Sequence, residues 1–586
     1  RHQPRRAAGQ AGMTEADEDL LLAARAWIDG DPDPATRAEL SALLEPEHRA
    51  SLASRMQPLT FGTAGLRGAV GAGSGRMNTA VVTRTAHGIA RYLGEQAGVT
   101  DRPVVIGFDA RPTSRGFAEI SAGVLLTAGF RVVAFSEPTA TPLCAFLGLE
   151  LSASITIVVT ASHNPRGDNG YKVYGANAVQ IVSPVDAEIA RHIALAPPAR
   201  LVPCQAVDFD APAPARLTLI RASELKGYFA AVSAAIPARA ERRELSIVYS
   251  ALHGVGAAPM RRTLADAGFT RIALVAAQAE PDGTFPTTPF PNPEEPGTLD
   301  LALREGDLCG SALVLVNDPD ADRLAAAARL DGALRVLDGN QVGALLADYA
   351  LSLHGSAATP LVLSSVVSSP LVGLLAVAGG AHHERTLTGF KWLWSAALEL
   401  EQRGVGRFCF AYEEALGYSV FRAVRDKDGI AAGRALAELA ALLQSRGETL
   451  FDRLYQLYAA HGLWASAARS VALRGGEANA RLARCLDALP AYSNLQLAGE
   501  RVLRIVDYRT GASQRPSWLG ATPLFELELE RGGRIFVRPS GTEPKLKLYG
   551  HVRHDVTLRS EFVRDLAEAQ RLVSAQLEAL ETALQL

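Results

Sequence analysis

Residues 154–160, Ser-Ile-Thr-Ile-Val-Val-Thr, run straight into Ala161-Ser162-His163-Asn164-Pro165. A short β-branched run bounded by turn formers predicts a strand buried on both faces. Its polar loop begins where the strand ends, the place where parallel α/β sheets collect functional groups. The same unit recurs outward from there. Upstream, Pro103–Phe108 predicts a strand, Phe117–Ala128 a helix and Phe130–Phe135 the next strand. Downstream, Leu245–Tyr249, Arg271–Ala276 and Ala312–Asn317 predict strands separated by helical stretches, and Leu361–Ser365 opens a third set. This alternation argues for βαβ units in largely parallel sheets. The pattern changes near the end, where Gly533–Val537 and Lys545–Val552 predict strands around a turn. Phe562, Leu566, Ala569, Val573, Leu577, Leu580 and Leu584 then fall on one helix face, which predicts an α+β unit with the helix docked on its own sheet.

The chain has 586 residues, about four domains by length. Boundaries near 215, 330 and 450 predict domains at 13–215, 216–330, 331–450 and 451–586. Residues 1–12 precede Met13 and are left out of the fold argument as an extension ahead of the start. Residues 281–296 hold six prolines in sixteen positions, which predicts an extended loop rather than a helix.

Lysine plus arginine is 59 and aspartate plus glutamate 62, a net charge of −3, which argues against a nucleic-acid partner or a membrane-surface partner. Hydrophobic residues make up 48%, enough apolar side chain to exclude a disordered chain. Five scattered cysteines with no CxxC pair point away from disulfides and structural zinc, and toward a reducing, cytoplasmic setting. No apolar run is long enough to span a bilayer.

Four loops carry the chemistry. The first is Thr160–Pro165 with Asp168-Asn169-Gly170-Tyr171-Lys172. A serine needs a base or a nearby cation to act as nucleophile, and His163 and Lys172 are the candidates. The second is Asn317-Asp318-Pro319-Asp320-Ala321-Asp322-Arg323. Its three carboxylates can converge only if something neutralises them, and oxygen-only ligands suit a hard cation such as Mg²⁺. The third is Glu413-Glu414-Ala415-Leu416-Gly417, with Gly389 and Lys391 upstream, where glutamates can hold sugar hydroxyls. The fourth is Arg538-Pro539-Ser540-Gly541-Thr542, a combination suited to cradling phosphate, with Lys547 beyond it. Taken singly, each loop also reads as a polar turn, an acidic turn or the start of a surface helix. Together they suit phosphoryl transfer on a phosphorylated polyol.

On those motifs, together with Phe61-Gly62-Thr63-Ala64-Gly65-Leu66-Arg67-Gly68, the sequence resembles the α-D-phosphohexomutase superfamily, most closely its phosphoglucomutase/phosphopentomutase branch. The resemblance spans about residues 50–550. It implies three related α/β domains with mixed sheets and a C-terminal α+β domain around a central cleft. It implies a phosphosugar mutase working through a phosphoserine and a bisphosphate intermediate. Ser162 would be the phosphoserine, and Asp318, Asp320 and Asp322 with the Ser162 phosphate would bind Mg²⁺. Arg67 and Arg323 would neutralise the moving phosphoryl group. His163, Lys172 and Lys391 would serve acid/base and orienting roles, and Glu413 would hold sugar hydroxyls beside Gly389. Arg538, Ser540, Gly541, Thr542 and Lys547 would hold the phosphate that is not reacting. A sugar 1,6-bisphosphate would act as primer, with sugar phosphates as partners and a monomer or dimer as the assembly. Glucose phosphate is the first expectation for the substrate. The alternatives are mannose or pentose phosphates, a bisphosphate synthase, and a silent sugar-phosphate sensor. Two positions depart from the family pattern: Ala415 stands where many hexose mutases have serine, and Pro319 where many have glycine.

Overall fold

The computed structural model of the chain describes residues 15–585 apart from 61–64, 97, 99–100, 240–243, 356, 474–477, 493 and 540–544. Two compact units emerge. One takes the residues up to Thr139 together with Leu147–Ala222, the other Ala140–Phe146 and Ser223–Leu586.

The first unit is built on six strands in the order Leu66–Ala69, Asp168–Tyr174, Ile155–Val159, Val104–Phe108, Val132–Phe135 and Leu217–Ile220. The last four run parallel, Asp168–Tyr174 runs against them, and Leu66–Ala69 pairs antiparallel with it. Every residue of Val104–Phe108 and Ile155–Val159 is buried, which explains their unbroken apolar character. Helices Thr79–Gly94 and Ser114–Thr127 cover the sheet and supply Val82, Ile89, Phe117 and Leu125 to its core. The strand Asp168–Tyr174 is not evident from sequence, because it opens on turn formers and alternates only over its second half. It forms because Tyr171 and Val173 reach the core and Gly170 has no Cβ, which would stand 2.5 Å from the Thr160 carbonyl oxygen.

Three sheets make up the second unit. The first orders as Ala333–Leu337, Leu324–Leu330, Leu313–Asn317, Ile247–Ser250 and Ile272–Leu274, with an antiparallel half and a parallel half. The next orders as His382–Thr386, Pro360–Ser365, Arg407–Glu413 and Gly417–Ser419, parallel except for its last pair. The C-terminal sheet of six strands, Leu463–Ala472 through Lys545–His554, is antiparallel throughout. Helix Phe562–Ala583 docks Leu577 and Leu580 against Ile535, Leu546 and Leu548 of that sheet, as its apolar stripe predicts. The architecture is thus three mixed α/β sheets plus an antiparallel C-terminal domain. The expectation of largely parallel sheets is adjusted, because each α/β sheet includes a strand that runs antiparallel to its neighbours. The proline-rich stretch 281–296 contains no helix and no strand. No helix of the described residues is long and apolar enough to cross a membrane.

Candidate active site

In the first unit, Ser162 follows strand Ile155–Val159 directly and is buried in the left-handed region, with φ +51°. A non-glycine residue there costs roughly 1–3 kcal/mol unless its surroundings impose the conformation. They do. The Ser162 backbone N–H donates to Thr160 Oγ1 at 2.8 Å, and the Thr160 hydroxyl donates to Asp109 Oδ2 at 2.6 Å. Arg111 then closes over the loop. Its Nη2 donates to the carbonyls of Ser162 (2.8 Å) and Asn164 (2.6 Å), and its Nη1 to those of Pro165 (2.8 Å) and Asp168 (2.9 Å). Asp109 holds this guanidinium through Nε at 3.2 Å, and both side chains are buried. Ser162 Oγ lies 3.1 Å from His163 Nδ1. Arg67 Nη1 donates to Asn164 Oδ1 at 2.9 Å, and Asn164 Nδ2 to Asp168 Oδ2 at 2.8 Å. Lys172 sits opposite Val158 in the sheet register with its side chain buried.

The second unit carries the acidic loop between strands Leu313–Asn317 and Leu324–Leu330. Asp318, Asp320 and Asp322 are all buried, and one carboxylate oxygen from each lies within 4.8 Å of the others. Three buried like charges at that range repel strongly unless cations neutralise them. Among the described residues Lys427 brings a cation to them, its Nζ lying 3.2 Å from Asp322 Oδ2 and 3.2 Å from Asp426 Oδ1, and the Arg323 guanidinium interacts favourably with Asp318 and Asp322. Thr141 Oγ1 donates to Asp320 Oδ2 at 2.7 Å, and the Arg323 backbone N–H to Asp318 Oδ1 at 3.0 Å. An all-oxygen, anionic, buried donor set of this kind fits a hard divalent cation. Pro319 is compatible with the loop, because Gly254 packs beneath it. A Cβ on Gly254 would stand 2.2 Å from the Pro319 carbonyl oxygen.

Arg323 leaves this loop toward the glutamates. Its Nη1 pairs with Glu294 Oε2 at 3.2 Å, and its backbone forms an antiparallel bridge with Gly417. Glu413 ends strand Arg407–Glu413, so the expectation of a surface helix start is replaced by a strand–turn–strand. Its Oε1 accepts from the backbone N–H of Gly389, a residue at φ +122° that opens helix Phe390–Gln402. Burial raises the Glu413 carboxyl to about 7, and Glu414 adds to the rise, while Lys427, the Gly389 N–H and Arg323 oppose it. The two glutamates do not act as a pair, since Glu414 Oε2 accepts from Ser365 Oγ and Ser368 Oγ, each at 3.0 Å. The Lys391 ammonium lies over the Trp392 ring, 5.6 Å from its centroid.

Arg538 and Lys547 face each other across neighbouring strands. Like charges directly opposite are unfavourable unless an anion sits between or beside them. Burial and then Arg538 lower the Lys547 ammonium. Arg538 Nε is buried without a hydrogen-bond partner among the described residues. Ser540, Gly541 and Thr542, expected to complete this cradle, lie outside the described residues.

Sequence reasoning missed Asp109, Arg111, Glu294 and Lys427. A signal existed for the first two: Asp109 follows strand Val104–Phe108 directly, at the same sheet edge as Ser162. Glu294 and Lys427 carry none, because each is an ordinary charge in a turn until the fold brings it to Arg323 or Asp322.

Four family models match the chain in order. They are the phosphoglucomutase/phosphomannomutase alpha/beta/alpha domains I (58–197), II (226–331) and III (338–460), and the C-terminal domain (500–569). The chain is 36% identical over 562 residues to a probable phosphoribomutase of Schizosaccharomyces pombe, covering 90% of this chain and 94% of that one. It is 34% identical over 559 residues to a phosphopentomutase of Homo sapiens, covering 90% of each. It is 32% identical over 502 residues to a phosphoglucomutase of Staphylococcus haemolyticus, covering 84% of this chain and 90% of that one.

Proposed function

Because the chain belongs to the phosphoglucomutase/phosphomannomutase family of the α-D-phosphohexomutase superfamily, and is thereby a phosphosugar mutase, we propose that its preferred substrates are pentose phosphates, exchanged between the 1- and 5-positions. The observation that carries this reading is near-full-length similarity to a phosphoribomutase and a phosphopentomutase, at 36% and 34%. This revises the first expectation of glucose phosphate. Glucose phosphate stays as the second reading, favoured by the 32% identity to a phosphoglucomutase.

In the proposed reaction, Ser162 carries a phosphoryl group. The free hydroxyl of the sugar monophosphate attacks phosphorus, the bond from phosphorus to Ser162 Oγ breaks, and a bisphosphate forms. The proton lost by the sugar hydroxyl balances the one gained by Oγ, and His163, whose Nδ1 lies 3.1 Å from Oγ, would exchange it. The reverse step on the other phosphate re-forms the phosphoserine, so a sugar bisphosphate serves as primer. Asp318, Asp320 and Asp322 would hold Mg²⁺, which when bound neutralises charge on the transferring group. Arg67 and Arg323 would contact that group and Glu413 the sugar hydroxyls. Lys172, Lys391 and Lys427 would act as nearby proton carriers or counter-charges. Arg538, Ser540, Gly541, Thr542 and Lys547 would hold the idle phosphate. The five scattered cysteines with no CxxC pair are the feature that suits a reducing, cytoplasmic setting.

The test compares kcat/KM for ribose, deoxyribose, mannose and glucose 1-phosphates, each with its own bisphosphate primer. A pentose preference of tenfold or more is expected. An equal or larger value for glucose 1-phosphate overturns the proposal.

A further inference from the structure

The proline-rich stretch 281–296 has no part in the reaction above, yet it delivers one charged group to one reacting residue. Pro291, Asn292 and Pro293 are buried, and Glu294 emerges next to them. The turn is tied by Asn292, whose Oδ1 accepts from the Glu294 N–H (3.2 Å) and whose carbonyl accepts from the Glu295 N–H (2.9 Å). Pro293 and Pro296 have their φ fixed by the ring, so Glu294 is presented at small entropic cost. Farther back, His253 Nε2 lies 2.8 Å from Thr287 Oγ1 and anchors the middle of the stretch.

Glu294 Oε2 meets Arg323 Nη1 at 3.2 Å. The Arg323 backbone is already pinned. Its N–H donates to Asp318 Oδ1, its carbonyl accepts from Asn317 Nδ2, and it bridges Gly417. What remains loose is the side chain, and Glu294 takes hold of its far end. The nitrogen it takes is decisive. Nη1 is engaged, while Nε is buried and has no hydrogen-bond partner among the described residues. A guanidinium presents Nε and one terminal nitrogen along a single edge, the geometry for a bidentate phosphate contact. Nη1 lies on the other side. A buried N–H left without a partner is costly, and an arriving anion would satisfy it.

We infer that Glu294 is a positioning residue for the phosphoryl transfer, gripping Nη1 so that the Nε edge of Arg323 is held ready for the phosphoryl oxygens. The inference rests on the proposed role of Arg323 in contacting that group. Its substrate-level consequence is a kcat effect more than a KM effect, because Arg323 is asked to meet a charge that develops in transfer.

A double-mutant cycle in the full chain tests this. Glu294→Ala is expected to lower kcat about tenfold or more, as a long side chain regains its rotamer freedom, with KM changed less than about threefold. Glu294→Gln keeps an acceptor oxygen and is expected to recover most of that loss. In an Arg323→Lys background, Glu294→Ala is expected to cost nothing further. If Arg323→Lys alone leaves turnover intact, the role given to Arg323 fails. If Arg323→Lys impairs turnover and Glu294→Ala then adds its full effect, the positioning role is overturned. Glu294 is partly exposed on a loop, and thermal unfolding of each variant separates loss of fold from loss of function.

Discussion

Replacing Arg111 by methionine should disable the serine loop although Arg111 is not expected to touch substrate. The substitution keeps an unbranched apolar stem as far as the position of Nε and removes every polar contact of the guanidinium. Four backbone carbonyls, those of Ser162, Asn164, Pro165 and Asp168, lose a donor, and Asp109 loses its cation. Breaking a buried ion pair by removing one partner costs about 3–5 kcal/mol. Asp109 retains donors from the Thr160 and Ser114 hydroxyls, which limits its own share. The Pro165 carbonyl keeps the Asp168 N–H, and each carbonyl that is left without a donor adds about 1 kcal/mol where water cannot reach it. Much of this sum falls on the loop, because strands Val104–Phe108 and Ile155–Val159 pair independently of Arg111. Ser162 at φ +51° then has less to hold it, and the loop relaxes. A displacement of about 1 Å at a reacting group costs roughly 100-fold in rate. The expectation is therefore a kcat/KM reduced at least 100-fold and an unfolding midpoint lowered by several degrees for this unit. A coupled assay for the mutase, calorimetric unfolding and hydrogen exchange across 160–170 would measure them. An Arg111→Met protein with wild-type kcat/KM and unchanged exchange would refute the clamp.

Ser162→Ala should abolish turnover with primer supplied, and intact mass should show no covalent phosphate where the parent chain carries one. Chelation should remove activity and added Mg²⁺ restore it. Asp320→Asn should weaken Mg²⁺ binding measured by calorimetry about tenfold or more, since it removes one of three carboxylate ligands. Glu413 ionises near 7 in the folded protein against an ordinary value of 4.5, so the native state holds a proton that the unfolded chain has released between those values. Its contribution to stability is therefore present below about pH 4.5 and lost as pH rises to 7, on the order of 3 kcal/mol in all. Denaturation curves of the parent chain should fall relative to those of Glu413→Gln across that window, and a constant difference would remove the assignment.

Sequence alone determined the strand–helix alternation, because a strand buried on both faces must be a continuous apolar run and its helix must carry a 3.6-residue stripe. Ile155–Val159, Leu313–Asn317 and the stripe on Phe562–Ala583 were legible for that reason. The serine loop and the acidic loop were legible because their chemistry is local: each sits within a dozen residues, directly after a strand. Tertiary structure decided whatever depends on residues far apart in the chain. Asp168–Tyr174 is a strand only because Leu66–Ala69 and Ile155–Val159 flank it. Arg111 is a clamp only because the sheet sets the ends of two parallel strands side by side, some fifty residues apart in sequence. Lys427 meets Asp322, and Glu294 meets Arg323, across separations that leave no periodicity to read. Burial itself made the difference there. A charge in a turn is unremarked in water, but once packed away from it the charge must find its partner, and only the folded chain shows which partner that is.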